Sequence, residues 1–89
     1  LRVRLRDLDA PELKGQCADE IAAAERARAA LMALVRQGTH ITLQRVQRDT
    51  YFRLDATLLI DGVDINALLL AQGLVRPYHG EKRQPWCPS

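Results

Sequence analysis

Alternating apolar and polar positions open the chain and recur twice farther along it. Val3 and Leu5 alternate with arginines at the start, and the same period of two returns over residues 39–46 and 53–60. A period of two is that of a half-buried β-strand. The pattern therefore predicts three strands, with Val3 and Leu5 buried on one face of the first strand and Arg4 on the opposite, concave face.

A longer segment between the first and second predicted strands carries apolar residues at helical spacing. Over residues 18–37 the apolar positions repeat along an alanine-rich stretch, as they do on the buried face of an amphipathic helix. Gly38 follows at the position where a glycine commonly ends a helix. The sequence therefore predicts one long helix between two strands.

The part of the chain after the third predicted strand has the signals of a turn and of a second, short helix. Asp61 and Gly62 are a typical turn pair. Asp64 suits the N-cap of a helix, and Gly73 suits the position just after its end. The tail from Arg76 onward has no periodicity, so we predict that it is irregular.

Size and composition are those of a small globular domain. The chain has 89 residues, of which 47% are hydrophobic and 27% are charged, and we expect one domain over residues 1–89. No apolar run approaches the roughly 20 residues that span a bilayer, so we expect no membrane insertion. Three strands cannot close a barrel, and the pattern begins at once with Leu1. We therefore expect that the natural protein begins upstream.

Charge gives only a weak indication of a partner. The net charge of +2 is too small to indicate nucleic-acid binding by itself. Lys14 and Lys82 are the only lysines, so 11 of the 13 basic residues are arginines. The rigid fork of arginine suits phosphate, but GC-rich coding produces the same bias, and both explanations stay open.

The two cysteines, Cys17 and Cys87, lie near opposite ends of the chain and lack the spacing of metal ligands. A disulfide that closes so long a loop contributes about 4 kcal/mol to stability in the chain-entropy treatment. We expect this disulfide and with it an exported or periplasmic location. The alternative is a pair of free thiols in a reducing cytoplasm.

Opposed charges concentrate in the opening stretch RVRLRDLDAPE. Asp9 and Glu12 flank a proline turn directly after the first strand, where carboxylates can hold a hard cation or orient a water molecule. Arg4 from the first strand and Arg53 from the third could grip one phosphate between them. Each of these residues, taken alone, also fits an ordinary turn or a solvated surface.

The sequence as a whole resembles the staphylococcal nuclease, or thermonuclease-like, family. The stretches that carry the resemblance are VRLRDLDAPEL and, after the predicted helix, RDTYFRLDATLLIDGVDINALLLAQGLVRPY. The segments GQCADE and GEKRQPWC resemble the cysteine-bearing bacterial branch of the family. The resemblance implies an α+β fold that is mainly β, with an oligonucleotide-binding-type barrel whose N-terminal strands are absent from this chain. It also implies Ca²⁺-dependent hydrolysis of DNA or RNA.

The resemblance assigns a role to each candidate site residue. Arg4 and Arg53 correspond to the two phosphate-binding arginines, and Glu12 corresponds to the carboxylate that positions or deprotonates the attacking water. Asp9 corresponds to a Ca²⁺ ligand, and the backbone carbonyl of Ala10 reaches the same ion. The implied partners are therefore a nucleic-acid substrate and a calcium ion, whereas the oligomeric state is not indicated.

Two tyrosines complete the assignments, and the pattern departs from the family in three respects, one of which is that the family's third helix is absent or replaced by the tail. Tyr51 corresponds to a tyrosine beside the nucleotide, and Tyr78 lies close to another. Phe52 replaces a glycine before the second arginine, and an upstream metal-binding aspartate has no counterpart in this chain. The alternative function is therefore a catalytically inactive nuclease-like module that binds nucleic acid or protein.

Overall fold

The computed structural model describes residues 2–50 and 53–88. These residues contain helices and strands in the predicted order, with short additional strands between them. The elements are β1 (Arg2–Leu5), β2 (Leu8–Asp9), α1 (Ala18–Gln37), β3 (Ile41–Thr50), β4 (Arg53–Ile60), β5 (Val63–Asp64), α2 (Ile65–Ala71) and β6 (Arg76–Pro77). Neither helix is long and apolar enough to cross a membrane.

Strand β4 is the centre of the main sheet. It pairs in parallel with β1 on one side and antiparallel with β3 on the other, and the short strand β5 also pairs with it. Strands β2 and β6 form a second, two-stranded antiparallel sheet. The predicted α+β class is therefore confirmed. Within the described residues, the two sheets do not close into a barrel.

Helix α1 has the predicted bounds, and its first turn is capped by a cysteine. Cys17 occupies the N-cap, and its sulfur accepts the backbone N–H of Glu20 at 3.4 Å. Gly38 ends the helix but does not adopt the left-handed conformation expected there, because its φ is −81°. A Cβ at this position would collide with the side chain of Ile60. Close packing of helix against strand, and not backbone freedom, thus accounts for this glycine.

The predicted turn and short helix are both confirmed. Asp61 and Gly62 have φ values of 51° and 83° and form a two-residue hairpin loop between β4 and β5. The Asp64 carboxylate caps α2 by accepting the backbone N–H of Ala67 at 3.0 Å. Gly73, with a φ of 71°, ends the helix in the left-handed conformation.

The hydrophobic core lies between β4, α2 and one face of α1. Its buried members come from four parts of the chain and are Leu8, Leu58, Ile60, Ile65, Leu69 and Val75. Leucines and a valine of α1 pack against them, namely Leu31, Leu34 and Val35. The periodicity of the long helix is thus explained by its contact with the core.

Two expectations about the sheet are wrong. Val3 is 45% exposed, because β1 is an edge strand that has only β4 as a neighbour in the described sheet. The strand predicted over residues 39–46 extends to residue 50, and its register shifts around Arg45, which has a φ of 51°. Such a bulge adds a residue to one strand, so a strict period of two could not be followed through it.

The tail is more ordered than its sequence indicated. Strand β6 pairs with β2, and farther on Cys87 is joined to Cys17 in a disulfide with a Cα–Cα distance of 6.0 Å. That distance lies in the ordinary range for a disulfide. The end of the described chain is therefore held against the beginning of α1.

Candidate functional site

Five of the residues singled out in the sequence line one cleft, namely Arg4, Asp9, Ala10, Glu12 and Arg53. Arg4 and Arg53 come from neighbouring strands, and Asp9 and Glu12 come from the end of β2 and the turn after it. Arg83 from the tail lines the same cleft, whose volume is about 480 Å³. We call it the arginine cleft and define it by these three arginines and two carboxylates.

The parallel pairing of β1 with β4 aligns the two strand arginines. Arg53 lies opposite Arg2, and Arg4 lies opposite Asp55. Because side chains alternate between the faces of a sheet, this register places Arg4 and Arg53 on the same face. Arg2 shares that face but does not line the cleft.

A buried amide on α2 keeps the two strands in this register. The side chain of Asn66 is buried, and its oxygen accepts the backbone N–H of Leu58 at 3.1 Å. Its amide group donates to the carbonyls of Arg6 and Ala56 at 3.2 Å and 3.3 Å. One side chain therefore bonds to β4 and to the residue directly after β1.

The turn after β2 is fixed by a buried carboxylate on α1. Glu20 is 8% exposed, and it accepts the backbone N–H groups of Glu12 at 3.2 Å and Gln16 at 3.1 Å. Pro11 is buried too, so packing holds the turn as well. The side chain of Glu12 is 64% exposed, which leaves its carboxylate open to water.

Asp9 is the buried carboxylate of the cleft, and both of its oxygens already accept hydrogen bonds. Oδ1 accepts from Arg83 Nε at 2.8 Å and lies 2.6 Å from Arg83 Nη2. Oδ2 accepts from the indole N–H of Trp86 at 3.2 Å. The hydrogen bond that Arg83 donates to the Asp9 carboxylate raises the pKa of the Arg83 guanidinium above its ordinary value.

Arg76 holds the segment that carries Arg83 and Trp86 in this position. The guanidinium of Arg76 donates to the carbonyls of residues 84–85 at 3.2 Å and 3.1 Å. It also lies over the ring of Trp86, 3.8 Å from the centroid. Since Arg76 pairs with Asp9 across β6 and β2, the same strand pair positions the carboxylate and the segment that contacts it.

The residues of the cleft do not fit a calcium ion in this arrangement. Calcium requires six to eight oxygen ligands at about 2.4 Å, but Arg83 and Trp86 already occupy both oxygens of Asp9. Over residues 2–50 and 53–88 no group of three or more His, Cys, Asp or Glu side chains could hold a metal. Glu12 and the Ala10 carbonyl remain near the site, but the position of a cation beside Asp9 is taken by a guanidinium.

Of the two candidate tyrosines, the structure describes Tyr78, which does not line the cleft. Tyr51 is outside the described residues. Tyr78 lines a neighbouring groove of about 380 Å³, which shares Asp9 and Arg83 with the cleft. Its backbone N–H donates to the carbonyl of Asp7 at 2.9 Å. Tyr78 is thus beside the cleft, and its contact with a nucleotide stays a prediction.

Sequence reasoning missed the residues that surround the two carboxylates. Glu20 follows the N-cap Cys17 by three positions, which is the spacing of a capping box and was a usable signal. Arg83 and Trp86 carry no such motif. Their signal was indirect, because pairing Cys87 with the start of α1 brings the preceding residues back toward the turn after β2.

Comparison with known proteins gives one match. The family model described as staphylococcal nuclease homologue matches residues 2–86 of the chain. No significant match was found among curated proteins or among solved structures. The match covers the arginine cleft, the neighbouring groove and both helices.

Proposed function

Because the chain belongs to the staphylococcal nuclease homologue family, whose members generally hydrolyse nucleic acids, we propose that it binds and hydrolyses the phosphodiester backbone of DNA or RNA in the arginine cleft. The observation that carries this proposal is the common location of Arg4, Arg53, Asp9 and Glu12 in one cleft. These residues lie on β1, on β4 and at the turn after β2.

Arg4 and Arg53 are the proposed phosphate clamp. Both guanidiniums line the cleft from the same face of adjacent strands. Two planar forks of this kind can donate to several oxygens of one phosphate. As water attacks, negative charge grows on those oxygens, and donors already in place stabilise it.

Glu12 is the proposed base. Its backbone is fixed by Glu20, while its side chain stays exposed at the cleft. A carboxylate so placed can orient a water molecule and accept its proton as the water oxygen forms a bond to phosphorus. One P–O ester bond of the backbone breaks in the same displacement, and the departing oxygen takes up a proton from solvent water. Asp9, with both oxygens engaged, has a positioning role in this arrangement.

Calcium enters the proposal only through the family, in which dependence on this ion is general. Asp9 and the Ala10 carbonyl would be its ligands if Arg83 and Trp86 moved away from the carboxylate. No step above depends on the ion. Calcium dependence of this chain stays a prediction, to be tested by comparing hydrolysis in Ca²⁺ with hydrolysis in EDTA.

The decisive experiment measures hydrolysis of single-stranded DNA and of RNA by the wild type and by point variants. We expect Arg53→Ala to lower turnover by about 10²-fold or more, because a transition-state donor acts mainly on rate. Arg2→Ala is the matched control, since Arg2 lies opposite Arg53 in the sheet but outside the cleft. Equal losses in both variants would contradict the proposed role of the cleft.

A second candidate is a nucleic-acid-binding module without catalysis. It is favoured by the engagement of both Asp9 oxygens in the described arrangement. Specific binding at the cleft with no hydrolysis in either Ca²⁺ or EDTA would establish this alternative. Loss of binding in Arg4→Ala would still be expected.

Two finer statements extend the proposal beyond the cleft. The disulfide is compatible with an oxidising compartment, and we propose a periplasmic or secreted protein, which cell fractionation with thiol labelling would test.

We also propose that the natural protein forms one domain with the family's oligonucleotide-binding-type barrel. A structure of the natural full-length protein would show whether further strands close that barrel.

A further inference from the structure

We propose that Arg83 is the resident cation of the arginine cleft and allows the cleft to bind a phosphodiester backbone without a divalent metal ion. The inference rests on the proposed function, because it concerns the same cleft. It assigns a role to a residue that no motif in the sequence marked. It also explains why the two carboxylates are not free to share a metal ion in this arrangement.

The position of the Arg83 guanidinium relative to the carboxylates supports this role. Two of its nitrogens contact the same oxygen of Asp9, at 2.8 Å and 2.6 Å, and its third nitrogen lies 4.0 Å from Glu12. A positive group therefore lies beside the buried carboxylate and near the exposed one. This is the position in which a hard cation would balance the two charges.

Arg83 also keeps N–H donors for a further anion. A guanidinium carries five N–H groups, and the bonds to Asp9 engage Nε and Nη2. The Arg83 side chain is 47% exposed and lines both the cleft and the neighbouring groove. Arg83 can therefore bind Asp9 with one edge and present other N–H groups to a phosphate.

The charge of the cleft supports the same role for Arg83. Without Arg83, the guanidiniums of Arg4 and Arg53 are balanced by the carboxylates of Asp9 and Glu12, and no net charge remains to attract an anion. With Arg83 the cleft has one net positive charge, which matches the single negative charge of one phosphodiester group. Among the charged residues that line the cleft, Arg83 therefore supplies the excess of positive charge.

Contacts within the chain hold Arg83 in position before any ligand binds. Trp86 bonds the other oxygen of Asp9, Arg76 holds the carbonyls of residues 84–85, and the Cys17–Cys87 disulfide closes the segment. A donor held in place loses less conformational entropy on binding than a free surface arginine does. Preorganisation of this kind is typical of a binding site.

The test measures binding of a short, fluorescently labelled single-stranded DNA by anisotropy in EDTA. We expect the wild type to bind and Arg83→Gln to bind about tenfold more weakly or worse, because a charge-assisted contact is lost. The slope of log affinity against log salt should fall by about one in this variant. Arg36→Gln is the matched control, since Arg36 is exposed in the last turn of α1 and lines neither cavity.

A second variant separates charge from folding. Arg83→Lys keeps the positive charge, and we expect it to retain most of the affinity and the salt slope of the wild type. Thermal unfolding and a free-thiol assay identify any variant in which the tail is no longer held against the start of α1. If Arg83→Lys binds as weakly as Arg83→Gln while both remain folded, charge is not the reason and the inference is overturned.

The remaining outcomes distinguish this inference from the proposed function. Binding in Ca²⁺ but not in EDTA would overturn the role of Arg83 and leave the nuclease proposal intact. Unchanged DNA binding by Arg83→Gln, with a higher Ca²⁺ affinity in calorimetry, would make Arg83 a barrier to the ion and also overturn it. Absence of DNA binding in both Ca²⁺ and EDTA would contradict the proposed function itself.

Discussion

Asp7 and Asp9 flank Leu8 in the sequence, and each carboxylate lies close to an arginine. The two environments are nevertheless different. The Asp9 side chain is 5% exposed, and its oxygens accept hydrogen bonds from Arg83 and Trp86 at 2.8 Å and 3.2 Å. Both partners come from more than seventy residues farther along the chain.

The Asp7 side chain is 41% exposed, and the arginines near it are held mainly by other groups. Its distances to Arg6 and Arg45 are 3.7 Å and 3.5 Å. Arg45 donates to the hydroxyl of Thr57 at 3.0 Å and 2.7 Å, and Arg6 donates to the carbonyl of Arg45 at 2.5 Å. Asp7 is therefore an additional charge beside a network that is already formed.

An aspartate beside an arginine therefore makes no fixed contribution to stability. An exposed pair contributes about 0–1 kcal/mol, because water and salt screen it. A buried carboxylate that loses its partners keeps its desolvation cost, which makes the loss larger. In this chain the buried aspartate belongs to the cleft, and the exposed one belongs to the surface of the sheet.

Removal of the disulfide should have the largest effect on the free energy of unfolding. The accompanying structural change should lie around Asp9 and not around Asp7. Replacing Cys17 and Cys87 by serine should lower the free energy of unfolding by about 4 kcal/mol in the chain-entropy treatment, as measured in denaturant titrations. In the folded fraction, the NMR signal of the Trp86 indole N–H should shift strongly. Equal shifts around Asp7 would contradict the separation of the two regions.

Truncation of the two aspartates compares the regions directly. Asp9→Ala should lower the free energy of unfolding by about 2 kcal/mol, because it removes the acceptor for two partners and leaves the half-buried Arg83 beside the more distant Glu12, at 4.0 Å. Asp7→Ala should cost less than about 1 kcal/mol. Chemical denaturation of both variants at low and moderate salt checks this, and a larger loss in Asp7→Ala would reverse the assignment.

Trp86→Phe isolates one contact of Asp9. The phenyl ring can still pack beneath Arg76, but it has no N–H to donate to Asp9 Oδ2. The expected loss is about 1 kcal/mol, the typical net value of one hydrogen bond to a partly buried partner. A loss as large as that of Asp9→Ala would mean that Trp86, and not Arg83, holds the carboxylate.

Asp61 extends the comparison to an exposed carboxylate that has backbone donors instead of an arginine. The backbone N–H groups of His40 and Thr39 hold its pKa below its ordinary value of 3.8. A lowered pKa in the folded state means that the contribution to stability is present above the unfolded pKa and is lost as pH falls through the folded pKa.

The difference in unfolding free energy between the wild type and Asp61→Asn should therefore be constant from about pH 5 to 7 and shrink in more acidic solution. The change should be the smallest of the series, since Asp61 is exposed. A difference that grew as pH fell toward 3.8 or lower would contradict the hydrogen-bond explanation for Asp61.

Much of the fold could be read from the sequence because its signals are local. The bounds of α1, the Asp61–Gly62 turn and the Asp64 cap all depend on hydrogen bonds between residues a few positions apart. The exposure of Val3 and the bulge at Arg45 could not be read in this way. They depend on which strands lie beside them in the sheet.

The helices, the turn and the candidate residues for a phosphate site could all be predicted from the sequence. That Asp9 is hydrogen-bonded to Arg83, 74 positions away, and not free to bind a cation depends on the tertiary structure. The physical reason is that burial and charge pairing depend on every group that approaches the carboxylate. In this chain the strand pair β2–β6 and the disulfide between Cys17 and Cys87 bring those groups together.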